Sequence, residues 1–253
     1  MRNELSELKM NGALEVLDDY LKLKLDNLNF GQGLLRAEIA AKKNRLGLAK
    51  IAKAKFPYVK EWPEIRDDYN SNIQFDKIKK FSNGDFVQNK KNICLIGTPG
   101  LGKTHSIISI GRDLCRKSQD VLFFTASDLV EKLEEAKDKK KLVHFMDKLK
   151  KTKLLIIDEL GFVPFTENGS RLLFDVFTSR YNVGSIAITT NLSFEKWTQV
   201  FGAIELTAAL IDRFTHNCEI FVFEGESVRF IEAKELKKKQ TAYLKKKKDD
   251  GST

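Results

Sequence analysis

The rhythm of apolar positions changes near residue 75. Before it, Met10, Leu14, Leu17, Leu21 and Leu28 recur close to helical spacing, which predicts one amphipathic helix over residues 1–30, ending near NFGQG. LLRAEIAAKKNRLGLAKIAKAKFPYVK (34–60) also reads as helix, until FPYVKEWPE interrupts it with two prolines. NSNIQF reads as linker, so a domain boundary is expected within residues 65–75.

Beyond the linker, short continuous apolar runs alternate with helical patterns. The runs are NICLI (92–96), VLFFT (121–125), LLIID (154–158), SIAITT (185–190) and EIFVF (219–223). Continuity, rather than alternation, predicts parallel strands buried on both faces. Helices are expected at 103–117, at 126–150 in two pieces, at 168–181 and at 194–215, with TASD (125–128) as a capping box. Strands alternating with helices make this an α/β chain with a doubly wound sheet. No internal repeat is visible, and KELKKKQTAYLKKKKDDGST (234–253) reads as a frayed basic helix or arm.

Composition narrows the picture. A chain of 253 residues accommodates one large α/β domain and a small appendage. Hydrophobic content of 42%, with 18 phenylalanines, supplies a proper core and excludes a disordered chain. The net charge of +9 favours polyanionic partners, nucleic acid first, although a lysine-rich proteome gives the same balance. In the segment 34–60, Arg36, Lys42, Lys43, Arg45, Lys50, Lys53, Lys55 and Lys60 face a single acid, Glu38. A solvated helix face and a nucleic-acid-binding face both fit that pattern. Cys94, Cys115 and Cys218 show neither metal-site nor disulfide spacing, and no segment resembles a signal peptide or membrane span. A soluble cytoplasmic protein is expected.

The chemistry begins at GTPGLGKTH (97–105), between a strand and a helix. It satisfies G-x-x-x-x-G-K-[ST], in which glycines fold the backbone so that N–H groups face phosphate oxygens. The following helix adds its N-terminal dipole. Lys103 is placed to reach the β- and γ-phosphates and Thr104 to offer its hydroxyl to Mg²⁺. KLLIIDEL then ends a strand in two carboxylates: Asp158 to hold the Mg²⁺ shell, Glu159 to polarise the attacking water. Asn191, ending ITTN, sits at the same sheet edge, where an amide orients water; a plain turn residue reads alike. Arg213 in LIDRFTH reads as a guanidinium acting in trans across a subunit interface, or as a helix-end arginine meeting the dipole.

Taken in order, LIGTPGLGKTHSIISIG, FFTASDLVEKLEEA, LLIIDELGFVPF, LLFDVFTSRYNVGSIAITTNLSFEKW, LIDRFTHNCEI and GESVR resemble the IstB-like transposition helper ATPases, AAA+ proteins of the DnaC-related branch. The resemblance covers residues 90 to 230 and extends to the helical N-terminal region. It implies a P-loop AAA+ core with a five-stranded parallel sheet in the order 5-1-4-3-2. It implies a helical DNA- or partner-binding domain over 1–70, an ATPase domain over 71–233 and a basic tail over 234–253. It further implies ATP-dependent oligomerisation on duplex DNA, ATP hydrolysis, and delivery of target DNA to a cognate transposase. Gly97, Thr98, Pro99, Gly100, Leu101, Gly102, Lys103, Thr104, His105 and Asp158 would bind nucleotide, with Thr104 and Asp158 on Mg²⁺. Lys103, Glu159, Asn191 and Arg213 would carry catalysis, Asn191 as sensor and Arg213 as trans-acting finger. Arg229 lies in GESVR, where the family shows GESYR, and its role as a γ-phosphate sensor stays open. FGAIEL lacks the family's acid after FG, and HNC replaces paired histidines.

Eight phosphate contacts by the basic segment or the tail would give a log–log salt slope of roughly −7. No base-reading motif is apparent, so sequence-tolerant binding is expected. A DnaC-type helicase loader shares the core and the finger, and is the main alternative. A small-molecule P-loop kinase fits less well, because DEL after the strand points to water as nucleophile. A DNA-binding scaffold using ATP only as an assembly clamp would keep no need for Glu159.

Overall fold

The computed structural model describes residues 1–23, 25–65, 72–234 and 236–237. Most of the basic tail and part of the expected boundary (66–71) lie outside these residues. The helices are α1 (Arg2–Glu7), α2 (Asn11–Lys22), α3 (Asn27–Ala54), α4 (Phe75–Lys80), α5 (Asp85–Gln88) and α6 (Lys103–Arg116), then α7 (Ala126–Asp138), α8 (Leu142–Lys151), α9 (Glu167–Arg180), α10 (Thr198–Phe201) and α11 (Ile204–Thr215). The strands are β1 (Asn92–Gly97), β2 (Val121–Thr125), β3 (Leu154–Leu160), β4 (Ser185–Thr190) and β5 (Cys218–Phe223). All pairings are parallel, in the order β5-β1-β4-β3-β2.

Strand side chains alternate between faces, so each continuous apolar run feeds two cores at once. Ile93, Leu95, Val121, Phe123, Leu154, Ile156 and Ala187 pack with α6 residues such as Ile107 and Ile110. Their neighbours Cys94, Leu122, Phe124, Leu155, Ile157, Ile186 and Ile188 pack on the other face with residues of α7, α9 and α11. Thr125 caps α7 as TASD predicts, its hydroxyl accepting the Asp128 N–H at 3.1 Å.

Three expectations are corrected. Residues 1–30 are not one helix: α2 ends at Lys22, and Asp26 caps a new helix by accepting the Leu28 and Asn29 N–H groups. NFGQG therefore lies inside α3 rather than ending a helix, and Gly33 leaves room there for the Tyr20 ring of α2. The 194–215 stretch is broken by Gly202 (φ 79°), a left-handed position that separates α10 from α11. β5 is an edge strand rather than one buried on both faces, and Ile220 and Val222 stay exposed.

The N-terminal helices are tied to this core. Glu38, only 3% exposed, accepts the Gly12 and Ala13 N–H groups at the start of α2 and pairs with Lys42 and Arg45. Lys50 of α3 pairs with Asp120 at 2.7 Å. After Lys55 ends α3 in a left-handed conformation, Phe56 and Trp62 join the α6-side core. Glu61 receives Arg112 at 2.8 Å and Arg116 at 2.5 Å, strapping residues 56–65 along α6.

Candidate nucleotide site

β1 delivers its chain into the phosphate loop at Gly97, where φ is 148° and a Cβ would lie 1.9 Å from the Phe223 carbonyl oxygen. Only glycine lets the loop leave the sheet this close to β5. Gly100 (φ 84°) is pressed just as tightly by Ser227, and the Val228 N–H donates to its carbonyl at 3.1 Å. The GESVR turn is thereby fastened to the loop. Phe75 stacks edge-on against Phe223 at 5.9 Å and lies under Gly102.

These elements enclose a cleft of about 240 Å³. Lys103 lies along it, its Nζ donating to the Gly97 and Thr98 carbonyls at 2.6 and 2.7 Å. Burial lowers the Lys103 ammonium to about pKa 8; the charge of Arg229 pushes the same way, while Asp158 and Glu159 oppose it. The Thr104 hydroxyl donates to Asp158 Oδ1 at 3.0 Å, and the Thr189 hydroxyl donates to the same oxygen. Burial raises the Asp158 carboxyl, and those two hydrogen bonds hold it back. Glu159 follows on the cleft wall, its side chain exposed and its backbone at φ 60°.

A hydroxyl beside a buried carboxylate is a hard-oxygen pair of the kind that completes a Mg²⁺ shell already held by phosphates and water. The glycine cradle, Lys103 and this pair fit a nucleotide with its metal. Thr104 and Asp158 would hold the ion, which neutralises charge between the phosphates when bound.

Asn191 and Arg229 line the same cleft. Tyr58 enters from the strap; burial raises its phenol, and the negative charge of Asp158 adds to that. His105 also borders the cleft, but its Nε2–H donates to the Glu61 carbonyl at 2.8 Å, and burial lowers its pKa.

A sequence profile describing IstB-like ATP binding proteins matches residues 3–237, nearly the whole chain. The chain belongs to the IstB-like ATP-binding protein family. This IstB-like protein is 35% identical over 207 residues to an ATP-binding protein of insertion sequence IS5376 from Geobacillus stearothermophilus, covering 82% of each chain. It is 30% identical over 233 residues to the IS232 ATP-binding protein of Bacillus thuringiensis subsp. berliner, covering 90% of this chain and 93% of the other. Among solved structures it resembles a DNA replication initiation factor (TM-score 0.57, 20% identity, 73% of this chain and 55% of that one). AMPPCP-bound DnaA from Aquifex aeolicus is also similar (TM-score 0.51, 22% identity, 65% of this chain and 50% of that one). These likenesses concern the fold, a parallel five-stranded sheet in the expected strand order.

Arg213 stands apart from the cleft of the IstB-like protein. It occupies the last turn of α11 and lines a separate hollow with Lys90, Arg180, Tyr181 and Asn217. Its neighbour Phe214 is wedged 5.8 Å from both the Phe177 and Trp197 rings, which fixes that end of the helix. Sequence reading passed over Tyr58, Phe75, Ser227 and Thr189. Thr189 and Ser227 stand inside ITTN and GESVR, so each had a local signal; Tyr58 and Phe75 reach the cleft through the fold. No described helix is long and apolar enough to cross a membrane.

Proposed function

We propose that this protein is the ATP-hydrolysing helper of an insertion-sequence transposase, assembling on duplex DNA with ATP and delivering that DNA to its cognate transposase. The observation that carries the reading is the division of the catalytic groups. Lys103, Thr104, Asp158, Glu159 and Asn191 serve one cleft, whereas Arg213 faces a different hollow in the same chain. A guanidinium so placed reaches a γ-phosphate only when a second copy presents its own cleft, so hydrolysis follows assembly. Glu159 is the base that takes the proton of the attacking water, Lys103 and Arg229 face the γ-phosphate, and Asn191 orients the water.

The relatives, ATP-binding proteins of insertion sequences, supply the transposition context. For DNA, ion pairs among described residues engage Lys42, Arg45, Lys50 and Lys60 of the N-terminal segment. Arg36, Lys43, Lys53 and Lys55 are left for phosphates, together with Lys148, Lys150 and Lys151 in the last turn of α8. Residues 1–70 serve as the DNA- or partner-binding domain, and 71–233 as the motor.

Sedimentation of the purified chain with duplex DNA under ATP, ADP or no nucleotide tests the reading. Large DNA-bound assemblies are expected with ATP alone. A species indifferent to both nucleotide and DNA would overturn it.

A further inference from the structure

The carboxylates at the end of β3 sit on an irregularity. Pairing with β4 runs regularly from Leu154↔Ser185 to Ile157↔Ile188 and resumes at Leu160↔Thr190. Three steps on β3 are thus matched by two on β4, and the extra residue falls at Asp158–Glu159. Glu159 absorbs it at φ 60°, a left-handed conformation that a non-glycine residue keeps only where its surroundings over-determine it.

The surroundings that do so are two neighbouring hydroxyls on β4. Thr189 Oγ1 accepts the Glu159 N–H at 2.9 Å and donates to Asp158 Oδ1. Thr190 Oγ1 donates to the Leu160 carbonyl at 2.7 Å and accepts the Leu192 N–H at 3.0 Å, bracing the turn that carries Asn191. Both threonines are only 1% exposed. The chemistry explains the residue type. A carboxylate needs a donor and an amide N–H needs an acceptor, and a hydroxyl supplies both from one atom.

We propose that Thr189 and Thr190 form a hydroxyl latch that holds the bulge, and that Thr189 is the positioning residue aiming the Glu159 carboxylate at the attacking water. Without the latch, β3 relaxes into regular pairing. A one-residue slip in a strand sends a side chain to the opposite face, so Glu159 leaves the cleft while the phosphate loop stays intact. The inference rests on the reading of Glu159 as base.

The test compares Thr189→Val, of the same shape without the hydroxyl, with Thr189→Ser, which keeps it. MgATP affinity is measured by calorimetry, and phosphate release is followed on the full chain with duplex DNA. Thr189→Val should lower kcat at least tenfold and shift the MgATP Kd less than threefold, with Thr189→Ser restoring most of the turnover. In a Glu159→Gln background, Thr189→Val should cost far less than it does alone, because its main effect passes through Glu159 and only its hydrogen bond to Asp158 is left to lose. Native kcat in Thr189→Val, alongside a disabled Glu159→Gln, overturns the latch alone. Parallel loss of affinity and turnover, or failure of serine to rescue, also overturns it by showing a structural role. Full turnover in Glu159→Gln overturns the base reading and the latch with it. Should Thr189→Val not fold, Thr190→Val carries the same test by unpinning Leu160; native kcat there refutes the latch.

Discussion

Lys103 has two roles that the free protein sets against each other. Burial lowers its ammonium to about pKa 8, yet its partner in the bound state is a polyphosphate that favours the charged form. Below about pH 7 the side chain is protonated in both states, and binding exchanges no proton at this residue. Above pH 8 the free protein has lost that proton and must regain it, so MgATP affinity falls as pH rises. Calorimetry at pH 8.5 in two buffers of different ionisation enthalpy should show uptake approaching one proton, absent at pH 6.5. Lys103→Ala should abolish the uptake and weaken MgATP at least about tenfold, or ~1.4 kcal/mol. Undiminished affinity would remove Lys103 from the phosphate site.

At the scale of elements, Arg180 ties α9 to two neighbouring segments. Buried to 1% exposure, it donates from α9 to the carbonyls of Leu149, Thr152, Lys153 and Ser185, binding the end of α8 to the start of β4. No carboxylate pairs with it among the described residues, and burial lowers it to about 10. Its worth lies in satisfying helix-end carbonyls that water cannot reach. Arg180→Leu should therefore cost about 3 kcal/mol, a Tm lower by roughly 6–12 °C at this size. MgATP affinity of the folded variant should be unchanged, since the nucleotide cleft lies at the opposite strand ends. A native Tm would show those carbonyls to be satisfied in other ways.

On the scale of the whole molecule, the strap from Tyr58 to Ile65, before β1, and the turn at Ser227–Arg229, after β5, meet at one cleft. Arg213 is left outside it. Mixing Lys103→Ala subunits, which keep the finger, with Arg213→Ala subunits, which keep the cleft, should restore a measurable part of the turnover that each lacks alone. Absence of complementation would place Arg213 in a structural role at the end of α11.

What was legible in the sequence follows the range of the forces involved. Each of the five strands falls within a residue or two of its expected place, because continuous apolar runs between turn signals are a local pattern. The phosphate loop was legible for the same reason: GTPGLGKTH encodes its own backbone geometry through Gly97, Gly100 and Gly102. So was the capping of α7 by Thr125. Residues 1–30 form more than one helix because Asp26 makes a break by capping, across which the helical spacing of apolar residues continues. β5 misled similarly, since an apolar run states what a strand could bury but not whether an edge position leaves it covered. Strand order was expected only through the family resemblance, and the meeting of Asp158 with Thr104, 54 positions apart, only through that resemblance and the Mg²⁺ that both motifs imply. The capture of the Glu159 amide by Thr189, 30 positions apart, had no forecast, because no local pattern encodes such contacts. The sequence by itself determined the elements and the chemistry each carries; which hydroxyl meets which carboxylate was decided only when the sheet closed around them.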